Sequence, residues 1–265
     1  MGLPAFMPGT LLHLLRVPRG LLSLFDVLSL EEALLRADSR NWCVVYRGGP
    51  PTIVMGVSGD APSLVDCAAA RATGVPVLRR FTGGGTVITD EGTAFASFVV
   101  NKGAARGAPL FPRDIMTWSA RVYAPVLRAL CGDAAGGAFA LRDHDYVLGD
   151  RKIGGNAQAV SRERWVHHTS FLWEAKAERL ALLRLPAKRP AYRGDRAHGD
   201  FLTLLADHAT ADARSAGADS VGDALIHHLR GDEARGGARV VDVTLDDASA
   251  ALQLNSRKSN AWVEI

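Results

Sequence analysis

The stretch that decides the fold reads Arg79-Arg80-Phe81-Thr82-Gly83-Gly84-Gly85-Thr86-Val87-Ile88-Thr89-Asp90. Three consecutive glycines separate two β-branched runs, Val75 to Leu78 and Thr86 to Thr89. Without a Cβ, such a segment lets backbone approach a ligand and turns amide N–H groups towards an anion. Arg80 adds a permanently charged fork suited to a phosphate or a carboxylate. A glycine run beside an arginine pair is equally the mark of a hairpin, so taken alone the segment predicts only strand, turn and strand. It is neither G-x-G-x-x-G nor a Walker loop, which argues against those nucleotide folds.

Outward from this segment the pattern alternates between short strands and helices. Ser29-Leu30-Glu31-Glu32 fits a capping box opening a helix through Leu34 and Leu35. Cys43 to Tyr46 and Thr52 to Met55 read as two strands joined by a turn over Gly48-Gly49-Pro50-Pro51. Pro62-Ser63 opens a second helix, which Gly74 closes. Ala94 to Val100 is a further strand. Ile115, Trp118, Val122, Val126 and Leu130 recur at helical spacing, with Pro125 expected to kink or shorten that helix. Strand-like pieces fill residues 145–175. Helical spacing returns with Phe201, Leu204 and Leu205, then Val221, Leu225 and Leu229, while Ala211 to Gly217 reads as a surface loop. Val240 to Val243 offers one short strand. The expectation is an α+β (mixed α/β) fold, with one domain over residues 1–235 and a short C-terminal extension over 236–265.

The 265 residues are 48% hydrophobic and 22% charged, enough for one large α/β domain. A net charge of +3, with basic residues spread along the chain, gives no argument for nucleic-acid binding. Cys43, Cys67 and Cys131 form neither a CxxC pair nor an even-numbered framework, which suits a reducing compartment. No stretch reaches the roughly 18 to 20 apolar residues that span a bilayer. Residues 1–25 carry Arg16 and Arg19 and no acid, as in an organelle address, yet only one serine, Ser23. Mitochondrial matrix and cytoplasm both stay open.

Two later segments carry chemistry. In Asp145-Tyr146-Val147-Leu148-Gly149-Asp150-Arg151-Lys152-Ile153-Gly154-Gly155-Asn156, a tight turn at Gly149-Asp150 presents Lys152 on the next strand. Ile153 points inward, and Gly154-Gly155 again permits close backbone approach. A lysine so placed supplies a compact charge to a carboxylate and a phosphate together, although an isolated lysine is more often merely solvated. Neighbouring His167 and His168 project to opposite strand faces. No H-E-x-x-H or Cys/His spacing accompanies them, so they read as hydrogen-bonding histidines and no metal ligand is assigned.

Together, Arg79 to Gly85, Arg151 to Ala157 and His167 to Ser170 resemble the lipoate–protein ligase A family of the biotin/lipoyl attachment group. The KIGGNAQ and HHTSFLW segments are closest to plant and protist members. The resemblance runs from about Leu28 to Trp173, more weakly to Leu205. It implies the catalytic-domain fold of that group, mixed β-sheets flanked by helices. It implies an ATP-dependent ligase that forms acyl-AMP, with Mg2+, from lipoate or octanoate. The acyl group passes to a lysine of the lipoyl domains of 2-oxo acid dehydrogenase E2 subunits or of the glycine-cleavage H protein. Arg80, Gly85, Thr86, Val87 and Ile88 would lie on the nucleotide side. Gly83, Gly84, Gly154, Gly155, Asn156 and His168 would line the acyl group. Lys152 would touch both as the catalytic residue, supported by Asp145. The chemistry agrees, because joining a carboxylate to a triphosphate needs cations and free amides to offset repulsion.

Two departures qualify the resemblance, and two absences set it apart from related groups. His144 stands where the family has Asn before the Asp145 position. After Gly231 only 34 residues remain, too few for the accessory C-terminal domain of full-length ligases. No cysteine precedes Asp145 where one group of octanoyltransferases places its nucleophile, and the Gly-Arg-Gly-Arg-type loop of biotin ligases is missing. The alternatives are a transferase using preformed acyl-AMP or an acyl carrier, and a catalytic chain needing an accessory subunit for adenylation.

Overall fold

Strand-forming runs assemble into two sheets in a computed structural model that describes residues 3–186 and 189–265. Along the chain they are β1 (Leu11–Arg16), β2 (Asn41–Arg47), β3 (Thr52–Met55), β4 (Val77–Arg79), β5 (Val87–Thr89) and β6 (Thr93–Asn101). Then follow β7 (Phe139–Arg142), β8 (Asp145–Leu148), β9 (Arg151–Val160), β10 (Arg164–Leu172), β11 (Arg239–Asp242) and β12 (Ala261–Val263). The larger sheet has the order β11-β1-β2-β6-β10-β9-β8-β7 and the smaller β12-β4-β3-β5. This is the mixed-sheet architecture expected, with helices on both faces of the large sheet.

Apolar periodicity explains the layering. Helices Pro112–Gly137 and Asp219–Ala234 bury Trp118, Tyr123, Leu225 and Leu229 with Phe98, Tyr146, Trp165 and Phe171 of the large sheet. On the opposite face, helix Leu24–Ala37 sets Leu30 and Leu34 with Trp42 and Val166, and helix Leu245–Leu254 adds Ala248 and Ala251. The small sheet packs Ile53, Met55, Val77 and Ile88 with Ala61 and Ala70 of helices Ala61–Leu64 and Cys67–Thr73. Each fully buried large side chain contributes about 1.5–3 kcal/mol. Leu28, Val54 and Leu78 form a small cluster joining helix Leu24–Ala37 to the small sheet. Among the described residues no helix is long and apolar enough to cross a membrane.

The C-terminal residues close both sheets. β11 pairs in parallel with β1, and β12 pairs antiparallel with β4. Just before β12, Asn260 accepts the Phe81 amide N–H at 2.8 Å, and the Ser259 amide donates to buried Glu32. Leu11–Arg16, inside the stretch whose composition suits an organelle address, is strand β1, paired on both sides.

Several local expectations are corrected. The first helix starts at Leu24, and its capping box is Ser23 with Asp26, not Ser29 with Glu32. β2 and β3 join different sheets and do not pair, because β2 takes β1 and β6 as partners. β4 and β5 likewise flank β3, so the glycine segment crosses over a strand and is no hairpin. The second helix divides at Val65-Asp66, although Gly74 does close it in a left-handed conformation. Helix Pro112–Gly137 continues through Pro125; its one non-helical residue is Gly132. Ala211–Ala216 is helical, capped by the Thr210 hydroxyl, where a loop was expected.

Candidate active site

The triple-glycine segment, β9, β10 and helix Leu24–Ala37 enclose a cleft of about 890 Å3. That volume lies high in the usual small-molecule range of about 300–1,000 Å3. Leu24, Leu28, Tyr46, Val54 and Phe95 give it apolar walls, and Arg80, Asp145, Lys152, Asn156 and His168 supply polar groups.

Arg80 is only 4% exposed, and its guanidinium is spent on the protein itself. It donates to the Thr82 hydroxyl at 2.9 Å, the Val54 carbonyl at 3.2 Å, and the Gly83 and Gly85 carbonyls at 3.0 and 2.8 Å. Burial lowers its pKa to about 10, so it stays charged at neutral pH. The expected free fork for an anion is therefore corrected: Arg80 braces the loop. A trans peptide points its N–H opposite to its carbonyl. Drawing the Gly83 and Gly85 carbonyls to Arg80 thus turns the amides of Gly84 and Thr86 away from the guanidinium. Among the described residues neither amide donates to a protein acceptor. Gly84 is the glycine this geometry requires. Its φ is 107°, and a Cβ there would stand 2.7 Å from Arg80 Nη2.

Lys152 is built differently. Pairing between β8 and β9 shifts by one residue at Ile153, between the Tyr146–Gly154 and Val147–Lys152 partners. Such a bulge re-aims the strand; Ile153 enters the core while Lys152 lines the cleft. The Lys152 side chain is 21% exposed, and its ammonium meets Asp145 Oδ1 at 2.6 Å. Tyr192 donates its hydroxyl to the other carboxylate oxygen at 2.7 Å, and the carboxylate beside it holds the phenol pKa far up, second to burial. Asn156 donates to the His144 carbonyl at 2.7 Å, fixing the β7–β8 turn at the cleft.

The two histidines diverge as alternation on β10 requires. His167 lies fully buried against Tyr146, Thr169 and Gln158, where burial lowers its pKa to about 3. His168 faces the cleft, with Nδ1 2.8 Å from Glu31 Oε2 and Nε2 3.2 Å from the Thr82 hydroxyl.

Gly83, Gly84, Gly85, Thr86, Val87, Lys152, Gly155, Asn156, His168 and Asp145 line this one cleft with Arg80. Ile88 and Gly154 do not. Ile88 turns into the small-sheet core, and a Cβ on Gly154 would meet the Ser170 carbonyl of β10 at 2.5 Å. Gly154 serves strand packing. Cys43 is in the core, where burial raises its thiol pKa; Cys131 is pushed up to about 11 for the same reason. Sequence reading missed Glu31, Tyr46, Phe95 and Tyr192. Glu31 left a signal, an acid inside the apolar run Val27 to Leu35. Tyr46 stacks on Phe95 at 4.4 Å, and its hydroxyl is buried without a partner, as is that of Thr86.

Residues 23–230 match the lipoyl protein ligase A/B catalytic domain. The chain belongs to this family. Among lipoate–protein ligases, it is 27% identical over 172 residues to a putative ligase A of Aeropyrum pernix, covering 63% of this chain and 61% of that protein. It is 24% identical over 180 residues to inactive lipoate–protein ligase 2 of Plasmodium falciparum, covering 58% and 47%. The chain spans about half the length of the curated relatives it matches. The ligase fold is matched by the bipartite lipoate protein ligase described with its E2 lipoyl domain from Thermoplasma acidophilum. There the TM-score is 0.66 at 20% identity, over 93% of this chain and 91% of that one. A lipoate–protein ligase A bound with ATP gives 0.64 at 19% identity, over 92% of both chains.

Proposed function

We propose that this chain activates lipoate or octanoate with ATP and transfers the acyl group to a lysine of a lipoyl-domain acceptor. The observation that carries the reading is the placement, across one cleft, of the unpaired Gly84 and Thr86 amides and the Lys152 ammonium. In the first step a carboxylate oxygen attacks the α-phosphorus and pyrophosphate leaves. Lys152 is placed to hold the carboxylate beside that phosphate, and the loop amides to take phosphate oxygens. Leu28, Val54 and Phe95 offer an apolar wall for the acyl chain. In the second step the acceptor's neutral amine attacks the acyl carbonyl carbon, AMP leaves and the amine loses a proton. Positioning suffices for this, so no enzyme nucleophile is required.

Among the described residues no three His, Cys, Asp or Glu side chains form a metal cage. Mg2+ commonly binds through one or two carboxylates and substrate phosphates. Asp143, which lines the cleft, is the carboxylate that fits this role, where the ion would neutralise phosphate charge, while Asp145 is held by Lys152 and Tyr192. Acceptors of the proposed kind are the lipoyl domains of E2 subunits and the glycine-cleavage H protein.

A second reading, in which acyl activation needs a partner subunit, is favoured by the likeness to the bipartite Thermoplasma ligase chain. One assay separates them. Pyrophosphate release from lipoate and ATP, followed by transfer to a lipoyl domain, is expected from the isolated chain. Transfer from supplied lipoyl-AMP without such release would favour the second reading, and absence of both would overturn the proposed activity.

A further inference from the structure

The mechanism leaves unused a fully buried acid that reaches the cleft through His168. Glu31, on helix Leu24–Ala37, is 0% exposed; Ser97 Oγ donates to its Oε1, His168 Nδ1 lies on its Oε2, and the Tyr46 phenol stands beside the carboxylate. From His168 the bonds continue through Nε2 to Thr82 Oγ1, and Arg80 Nε donates to that same hydroxyl oxygen. Thr82 is also fully buried, and these are its hydroxyl's two partners. A buried hydroxyl left without an acceptor costs about 1–3 kcal/mol, so the protons have one arrangement that satisfies every group. Arg80 Nε–H donates to Thr82, the Thr82 O–H donates to an unprotonated His168 Nε2, and His168 Nδ1–H donates to Glu31. A proton on Nε2, in the other neutral form or in the imidazolium, would leave the Thr82 hydroxyl hydrogen without an acceptor.

We propose that Glu31 is a positioning residue for the acyl-transfer reaction: it fixes His168 as the Nδ1–H tautomer and thereby holds Thr82 and the Arg80 brace. The loop carbonyls held by Arg80, and hence the outward Gly84 and Thr86 amides, depend on a carboxylate that touches no substrate. The inference rests on the proposed ligase reading for its kinetic consequence only, because the tautomer is measurable without turnover.

The test uses the full chain and Glu31→Gln, which keeps the side-chain shape. Nitrogen-15 NMR of the histidine rings, with His168 assigned by its loss in His168→Gln, reads the tautomer directly. The wild type is expected to carry the proton on Nδ1 alone and Glu31→Gln to populate the Nε2–H form as well, because the amide can donate to Nδ1 as readily as it accepts from it. Transfer from supplied lipoyl-AMP should show KM raised about tenfold, with kcat within about threefold, the signature of binding lost in ground and transition states alike. Wild-type His168 protonated on Nε2 overturns the proposal, whether or not the variant folds. So does a folded Glu31→Gln protein whose His168 is as exclusively Nδ1–H as in the wild type, or whose KM is unchanged. If the wild type transfers no lipoyl group, the ligase reading fails, while the ring spectra still decide the role of Glu31.

Discussion

The loop from Arg80 to Thr86 and the hairpin from Asp145 to Asn156 look alike in sequence, each a cation beside adjacent glycines. They do opposite things. In the loop the cation is buried and bound to carbonyls, and the backbone amides are left for a ligand. In the hairpin the cation lines the cleft with one carboxylate partner, and Gly154 is fixed by a neighbouring strand. A charge–glycine motif thus does not say which of its parts meets the substrate; burial and carbonyl direction do.

The sharpest break of this contrast is Lys152→Ala. Loss of the cation at the reacting carboxylate should slow pyrophosphate release at least about a hundredfold, on the order of 3 kcal/mol. Melting temperature should change little, since the side chain is part-exposed. Wild-type release rates would remove Lys152 from the mechanism.

Arg80→Lys should reverse the balance, acting on stability and binding together. An ammonium cannot span the four acceptors, so unfolding free energy should fall by about 2 kcal/mol. Lipoyl-AMP titration should show weaker binding. A stable protein with normal affinity would show that the brace is dispensable.

Gly84→Ala should cost about 1–2 kcal/mol, because its φ of 107° and its distance to Arg80 leave no room for a methyl group. Gly85→Ala has open space and should stay within about 0.5 kcal/mol of wild type in denaturant melts. Equal losses would mean the loop is a generic turn. The smallest effect is expected for Cys67→Ala, with transfer within about twofold of wild type. A trapped thioester on Cys67, or lost transfer in the folded variant, would instead favour an acyl-cysteine route.

What the sequence made legible was whatever depends on neighbours along the chain. The β8–β9 turn at Gly149, the alternation of His167 and His168, and the left-handed stop at Gly74 were all readable locally. The Arg80 brace was not, since its Val54 acceptor lies on another strand. Nor was the allocation of β2 and β3 to separate sheets, because their short linker reads as a hairpin whichever partners they take. Glu32 was misassigned to a cap for a related reason: acids near a helix start look alike whether they bind a cap amide or the Ser259 amide 227 residues away.

The bond from the Phe81 amide to Asn260 spans 179 residues. A ribosome makes the flank of the glycine segment 179 residues before the residue that secures it. The long closure between them is entropically costly and slow. Ordering of the Gly84 and Thr86 amides is therefore expected late in folding, after Asn260 has docked. A ribosome-bound chain halted before Asn260 emerges should remain cleavable by protease at Gly83 to Gly85, with protection arriving once that asparagine is free to dock. By that timing, a partly synthesised copy would carry the glycine loop without the brace at its flank.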